Sequence, residues 1–202
     1  MDYLTSNPTR RSVLALLGSA AAFAATPAFA LTSGEARGLI DRAVADINKV
    51  INSGKSESAM IRDFEGIFRR YADVATIAQL VLGPPARSAS KSQMSRFGDA
   101  LAGFLSRKYG KRFREFEGGA ITVSGVESRK NFQEVKATAK LRGQAPFAVD
   151  FRVSDRSGKS LFFDLLIEGI SLIKSERAEI GAMLDRRRGN LDQLIDDLKS
   201  AG

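Results

Sequence analysis

The sequence has 202 residues, no cysteine, no histidine and no tryptophan, and a formal net charge of +8. The absent residue types exclude disulfides, thiol or imidazole catalysis and the usual zinc or haem ligands, so we expect neither a metal nor a cofactor. A chain of this length is long enough for one domain with a substantial core. The composition therefore favours a binding protein over an enzyme.

The first thirty residues have the pattern of an export signal. They contain three charged residues, two of them the adjacent Arg10 and Arg11, followed by a short run of small and apolar residues. That run is too short to cross a bilayer core of about 30 Å. The Ala-Phe-Ala sequence at 28–30 fits the A-x-A cleavage pattern and predicts a mature chain that begins at Leu31. The arginine pair resembles a twin-arginine signal, and either export route ends in the bacterial periplasm.

The remaining residues, 31–202, are predicted to form one domain that opens with four helices. Apolar residues recur at helical spacing over residues 34–52 and again between residues 60 and 71. Asp73 opens a short third helix, which a Gly-Pro-Pro sequence ends. The Ser-x-x-Gln sequence that begins at Ser90 is a capping box and opens a long fourth helix.

After the two glycines at 118–119 the apolar period changes from about 3.6 to 2, which predicts strands. Alternation predicts three of them, over residues 121–124, 135–142 and 147–154. A turn at 155–159 leads to a fourth strand from residue 161 to residue 173. The short connections predict an antiparallel sheet of about four strands.

Two helices close the chain, one from about residue 175 to residue 188 and one that Asn190 caps. Helices, then successive strands, then helices predict an α+β domain. The last strand is unusual because both of its faces are partly apolar. This pattern favours a strand buried on both sides, and the alternative is a strand whose second face lines a cavity for an apolar ligand.

Asp164 and Glu168 lie on that strand, four residues apart. An extended strand would separate them by about 13 Å, which is too far for the carboxylate pair of a glycosidase. We therefore expect a structural role for both, in salt bridges or in hydrogen bonds to backbone near Gly169. We expect no acidic residue to point into the cavity and no catalytic residue in the chain.

The segment from residue 162 to residue 198 resembles the C-terminal signature of the MlaC/toluene-tolerance family. It contains D-x-x-I-E-G-I-S, which runs from Asp164 to Ser171, then a short link, a helix and a final L-I-x-x-L helix. The resemblance extends over roughly residues 35–200. In the N-terminal half it includes Phe68, Tyr71, Ala78, Val81, Leu82, Gly83, Arg87, Ser90, Gln93, Phe97, Phe104 and Tyr109. The sequence departs from the family at Phe162 and Phe163, where many members have tryptophan, and at Glu176, where an aromatic residue is usual before the arginine.

The resemblance implies a soluble periplasmic lipid carrier that is not an enzyme. Such proteins bind phospholipid acyl chains in an apolar pocket between a curved antiparallel sheet and helices. They exchange lipid with an inner-membrane ABC transporter complex and an outer-membrane lipoprotein or porin complex, and so maintain outer-membrane lipid asymmetry. One branch is associated with hopanoid production, so a hopanoid is the alternative cargo.

Apolar side chains from the helices and strands are the candidates for contact with lipid tails. They are Leu82, Phe97, Leu101, Phe104, Tyr109, Phe151, Phe163, Leu165, Ile167, Ile170, Leu172 and Ile173. Four basic residues near segments that could rim the pocket are the candidates for the lipid headgroup, namely Arg87, Lys91, Lys174 and Arg177.

Two other classes of function stay open at this point. A small periplasmic enzyme with a cone-shaped, NTF2-like pocket would use a buried carboxylate as a base, because desolvation raises the pKa of such a group. A structural adaptor would have no cavity and no bound lipid. Clusters of Arg and Lys at two helix ends suit anionic surfaces, and we expect no nucleic-acid partner because the sequence has an export signal and no nucleic-acid motif.

Overall fold

The computed structural model describes the backbone of residues 31–202 and the side chains of residues 31–111 and 115–202. The predicted export signal lies outside the described residues. Within them, no helix combines the length and the apolar character needed to cross a membrane.

The helices are α1 (Ser33–Ile51), α2 (Glu57–Tyr71), α3 (Val74–Leu82), α4 (Lys91–Gly110), α5 (Leu172–Arg186) and α6 (Leu191–Ser200). The strands are β1 (Ala120–Arg129), β2 (Phe132–Lys140), β3 (Phe147–Ser154), β4 (Leu161–Ile167) and β5 (Ile170–Ser171).

The five strands form one antiparallel sheet in the order β1-β2-β3-β4-β5, which confirms the predicted α+β class. The sheet is curved and does not close on itself. The register shifts between Val123 and Gly125 and again between Arg152 and Val153. Irregularities of this kind bend and twist a strand, so they contribute to the curvature. Helix α1 packs on β1 and β2, while α4 packs against α2, α3 and α6.

Local capping sets most helix boundaries where the sequence predicts them. The capping box at Ser90 is present, and the Asp73 carboxylate accepts a hydrogen bond from the Thr76 N–H at 3.0 Å. Helix α3 ends at Gly83, whose φ of 71° and ψ of −137° suit glycine. A Cβ at this position would lie 2.5 Å from a guanidinium nitrogen of Arg177, so the glycine also allows α5 to pack closely against α3.

The predicted strand from residue 161 to residue 173 is wrong in its second half. Strand β4 ends at Ile167, and Glu168 and Gly169 form a two-residue turn with φ angles of 49° and 78°. Two consecutive positive φ angles match the type I′ turn of tight hairpins, which returns the chain along β4 as β5. Helix α5 then begins at Leu172, three residues earlier than predicted.

The first described residue is held by the sheet. The Leu31 backbone N–H donates to the Asp155 carboxylate at 3.1 Å, and the Gln133 amide donates to the Leu31 carbonyl at 3.0 Å. The start of the described chain therefore lies against β2 and the turn between β3 and β4.

Charged side chains form a network on β2 and its neighbours. Glu134 is 5% exposed and accepts hydrogen bonds from Lys136 at 2.8 Å, Arg129 at 3.0 Å and Arg152 at 3.2 Å. Burial alone would raise the pKa of Glu134, but these hydrogen bonds outweigh it and lower the pKa to about 2. The carboxylate form of Glu134 is therefore stabilised in the folded protein.

This network predicts a stability change in acid. Because folding lowers the pKa of Glu134 from 4.5 to about 2, its contribution is complete above pH 4.5 and is lost as the pH falls towards 2. The shift corresponds to about 3 kcal/mol. We expect the unfolding free energy of Glu134→Gln to lie below that of the wild type by about this amount at neutral pH, and the difference to vanish near pH 2. Urea unfolding at a series of pH values measures it, and a difference independent of pH would contradict the prediction.

Candidate functional site

A cavity of about 400 Å³ lies between the sheet and the helices. Its volume is within the range of about 300–1,000 Å³ that is common for ligand sites. Helices α1 to α5, strands β1 to β4 and the short 3-10 helix Lys111–Phe116 all contribute to its wall. The wall is mainly apolar. Its members from the helices include Ala43, Ile47, Phe64, Ile67, Ile77, Val81 and Leu105, and those from the strands include Ile121, Ala139, Phe147 and Val149.

Three phenylalanines make one side of the cavity. Phe162 packs edge-on against Phe68, with ring centroids 5.9 Å apart, and edge-on against Phe151 at 5.8 Å. Edge-to-face contacts of this kind are favourable beyond the area that they bury. They fix helix α2 against strands β3 and β4 and leave an apolar surface towards the cavity.

The structure brings seven of the twelve predicted tail-contact residues together around this cavity. They are Tyr109, Phe151, Phe163, Leu165, Ile167, Leu172 and Ile173. Five of the seven come from the β4 segment and the start of α5, where both strand faces are partly apolar. The turn at Glu168 and Gly169 places the first residues of α5 beside β4, so both segments reach the same wall.

The other five predicted residues lie elsewhere. Leu82, Phe97, Leu101 and Phe104 are buried, but they are not part of the cavity wall. The apolar side chains of α4 pack mainly against α2, α3 and α6, and only the end of α4 reaches the cavity. Ile170 lies on β5 beyond the turn and is 66% exposed.

The four predicted headgroup residues are all exposed, and none is part of the cavity wall. Arg87 follows the Pro-Pro sequence, Lys91 opens α4, and Lys174 and Arg177 lie in the first turns of α5. The guanidinium group of Arg177 packs over Gly83. The structure thus places all four of these cations outside the cavity wall.

The sequence predicts that no acidic residue points into the cavity, whereas four acidic residues belong to its wall: Glu115, Asp164, Glu168 and Glu176. Asp164 has both oxygens engaged. Oδ1 accepts from the backbone N–H groups of Leu165 at 2.9 Å and Ile173 at 3.2 Å, and Oδ2 accepts from Ser171 Oγ at 2.8 Å and Arg152 at 3.3 Å. The carboxylate thereby joins β3, β4 and the start of α5, and these contacts agree with the structural role predicted for it.

Glu168 has a comparable structural role. Its carboxylate accepts a hydrogen bond from the Ala148 N–H, and its own N–H donates to the Ala148 carbonyl at 3.0 Å. These bonds hold a residue with positive φ in place. The Ser171 hydroxyl in turn accepts from the Lys174 N–H at 3.3 Å and caps α5. The D-x-x-I-E-G-I-S sequence therefore specifies the β4–β5 turn and the start of α5.

Glu176 was not predicted as a site residue. It is 1% exposed in the first turns of α5 and belongs to the cavity wall. Its Oε1 accepts from Lys108 Nζ at 2.7 Å and from Tyr109 Oη at 2.6 Å. Partial burial opposes the charged form of Lys108, but hydrogen bonds to Glu176 and Glu179 outweigh it and raise the pKa of Lys108. A signal was present in the sequence, because a glutamate lies four residues before Ile180 on the buried stripe of the helix.

Comparison with known proteins supports the same fold. The family model described as MlaC protein matches residues 40–200. A solved structure, that of a phospholipid-binding protein from Ralstonia solanacearum in complex with a phospholipid, matches with a TM-score of 0.68 and 19% identity. The match covers 81% of this chain and 98% of the Ralstonia chain. This structural likeness concerns the fold, and the sequence match extends over most of the chain. The protein belongs to the MlaC family.

Proposed function

We propose that this protein is a periplasmic lipid carrier that encloses acyl chains in the cavity between the sheet and the helices. It receives and delivers lipid at an inner-membrane ABC transporter complex and an outer-membrane lipoprotein or porin complex. The observation that carries the proposal is the mainly apolar cavity of about 400 Å³ in a member of the MlaC family. The phospholipid bound to the Ralstonia protein of the same fold supports a phospholipid as the cargo.

The energetics explain why such a carrier encloses the tails. Each buried methylene contributes about 0.8 kcal/mol, so one acyl chain of about fifteen methylenes contributes about 12 kcal/mol. A lipid does not leave a membrane for water at a useful rate against this free energy. A dry, apolar wall replaces the membrane interior, and the tails need no covalent bond or cofactor to be held.

The hydrogen bonds of the acidic residues in the cavity wall favour a carrier over an enzyme. A hydrolase or isomerase of this kind would need a carboxylate that exchanges a proton with its substrate. Asp164 is held by four hydrogen bonds, and Glu168 holds the start of β3. Glu176 is shared with Lys108 and Tyr109. These contacts support structural roles for Asp164, Glu168 and Glu176.

Native mass spectrometry of the protein purified from a periplasm, followed by solvent extraction, tests the proposal. We expect a mass that corresponds to a chain beginning at Leu31 plus one bound lipid, and a diacyl phospholipid in the extract. A hopanoid in the extract would instead identify the hopanoid carrier. An empty protein that also takes up no lipid from phospholipid vesicles would contradict the carrier proposal and favour an enzyme or an adaptor.

A further inference from the structure

One end of the cavity reaches the protein surface. Four members of the cavity wall are exposed, namely Glu115, Gln144, Ile167 and Glu168, and its other members are buried or half-buried. All four lie in segments at the end of the sheet where β1 and β3 begin and β2 and β4 end. This end of the cavity is its mouth.

The mouth has an exposed apolar rim, formed by residues 145–148 together with Ile167 and Ile170. Residues 145–148 have the sequence Ala-Pro-Phe-Ala, in which the phenylalanine is half-buried and the other three residues are exposed. Ile167 and Ile170 are 36% and 66% exposed and are cross-strand partners in the β4–β5 hairpin. Among the described residues, Leu80 of α3 is the one other large apolar side chain in the exposed class. Two of the three such side chains therefore lie side by side at the mouth.

Hydrogen bonds join the two parts of the rim into one surface. The Glu168 N–H donates to the Ala148 carbonyl at 3.0 Å, and the Glu168 carboxylate accepts from the Ala148 N–H. Phe147 and Ile167 also belong to the cavity wall, so the rim continues the apolar lining to the outside of the molecule. Consecutive exposed apolar residues are unusual on a globular domain unless they serve an interaction.

The charge around the rim indicates the kind of partner. The three segments at the mouth, residues 111–119, 139–148 and 167–174, contain six basic and three acidic residues, a net charge of +3. Arg142 and Lys174 flank the two parts of the rim in the sequence, are exposed, and form no ion pair within the described part of the chain. Exposed apolar side chains beside unpaired cations suit the surface of a bilayer that contains anionic lipids.

We propose that the rim docks the mouth of the cavity on an anionic lipid surface. Ile167 and Ile170 enter the headgroup layer, while Arg142 and Lys174 meet anionic headgroups. The inference rests in part on the proposed carrier function, because acyl chains that pass between a bilayer and the cavity then meet an apolar surface along the path instead of water.

Flotation with lipid vesicles tests the docking. The purified protein is mixed with vesicles of phosphatidylethanolamine and phosphatidylglycerol, and vesicles of phosphatidylcholine alone are the neutral reference. We expect wild-type protein to bind the anionic vesicles about tenfold more tightly than the neutral ones. Binding should weaken as the salt concentration rises from about 0.1 M to about 1 M, because salt screens exposed charges.

The Ile170→Ser variant tests the rim without altering the cavity. Ile170 is not part of the cavity wall and is already 66% exposed, so the variant should fold and keep its lipid. We expect it to bind anionic vesicles about tenfold more weakly, because it loses the apolar side chain that leaves water on docking. Arg142→Gln and Lys174→Gln should each weaken binding about fivefold.

Leu161→Ser is the matched control for the rim variant. Leu161 is half-buried, lies outside the cavity wall and begins β4, so it is at the opposite end of that strand from Ile167, about 20 Å away. We expect this variant to bind vesicles like the wild type. Thermal unfolding shows that both serine variants are folded.

Three outcomes would overturn the inference. Wild-type protein that carries lipid but does not float with anionic vesicles would exclude a lipid surface and leave a protein as the partner of the rim. Vesicle binding that Ile170→Ser leaves unchanged would place the contact on another surface. A dimer that Ile170→Ser converts to a monomer, without vesicle binding, would assign the rim to a second copy of this chain. Failure of the proposed function is distinct, because native mass spectra would then show a protein without lipid whether or not it binds vesicles.

Discussion

Replacing Ala139 with tryptophan is expected to remove nearly all bound lipid from the protein. Ala139 lies on β2, is 1% exposed and belongs to the cavity wall, with Ile121 and Phe147 of the wall as its partners on the neighbouring strands. An indole at this position extends into a cavity of about 400 Å³ and takes space that the acyl chains need. The ratio of lipid to protein in native mass spectra, compared with the wild type, measures the loss.

Thr138→Trp is the matched control for this variant. Thr138 is the preceding residue on the same strand and is exposed, so its side chain lies on the opposite face of the sheet. It adds the same indole without entering the cavity and should retain lipid. Overpacking costs about 1–3 kcal/mol, so thermal unfolding must show that Ala139→Trp is folded. A folded Ala139→Trp variant with a full complement of lipid would place the lipid outside this cavity.

The Asp164→Ala variant is expected to lose about 1–3 kcal/mol of unfolding free energy, the usual effect of leaving buried hydrogen-bond donors without their acceptor. Asp164 is 5% exposed, and its oxygens accept from Arg152, Ser171 and two backbone N–H groups. Removing the carboxylate leaves Arg152 with Glu134 as its carboxylate partner. It also leaves the Ile173 N–H at the start of α5 without its acceptor. Urea unfolding at neutral pH measures the change.

The Asp164→Asn variant distinguishes a structural role of Asp164 from a catalytic role. The amide keeps one oxygen as an acceptor and the shape of the side chain, so we expect a smaller loss of stability and unchanged lipid binding. An Asp164→Ala variant with wild-type stability would contradict the structural role. If Asp164→Asn abolished a turnover of a bound substrate without affecting lipid binding, Asp164 would be a catalytic residue and the carrier proposal would fail.

Most of the secondary structure could be predicted because its signals are local. Capping side chains at Asp73, Ser90 and Asn190 lie directly before the helices that they open. Alternation of apolar residues located the strands because one face of each packs against the same core, fully buried or, in β1, partly buried. The β4–β5 hairpin was not predicted, since Glu168 adopts a positive φ that is unusual for glutamate and that Ala148, twenty residues away, helps to hold.

The cavity wall could be predicted only in part because periodicity identifies a buried side chain without saying what buries it. Phe97 of α4 is fully buried by other helices, whereas Tyr109 at the end of the same helix reaches the cavity. Nothing in the sequence of α4 distinguishes these two environments. The wall residues Ala43 and Ile47 of α1 have the spacing of ordinary core positions.

The hydrogen bond between Leu31 and Asp155 has a consequence for maturation. If the export signal is cut after Ala30, the Leu31 nitrogen becomes a positively charged amino terminus, and its contact with the Asp155 carboxylate becomes an ion pair. Exposed ion pairs contribute about 0–1 kcal/mol, so the gain in stability is small. The main effect is on position, because the newly created end of the chain is docked on the turn between β3 and β4 from the moment of cleavage. A protein cut at this position would then hold its new charge as half of a neutral pair instead of as a free terminus.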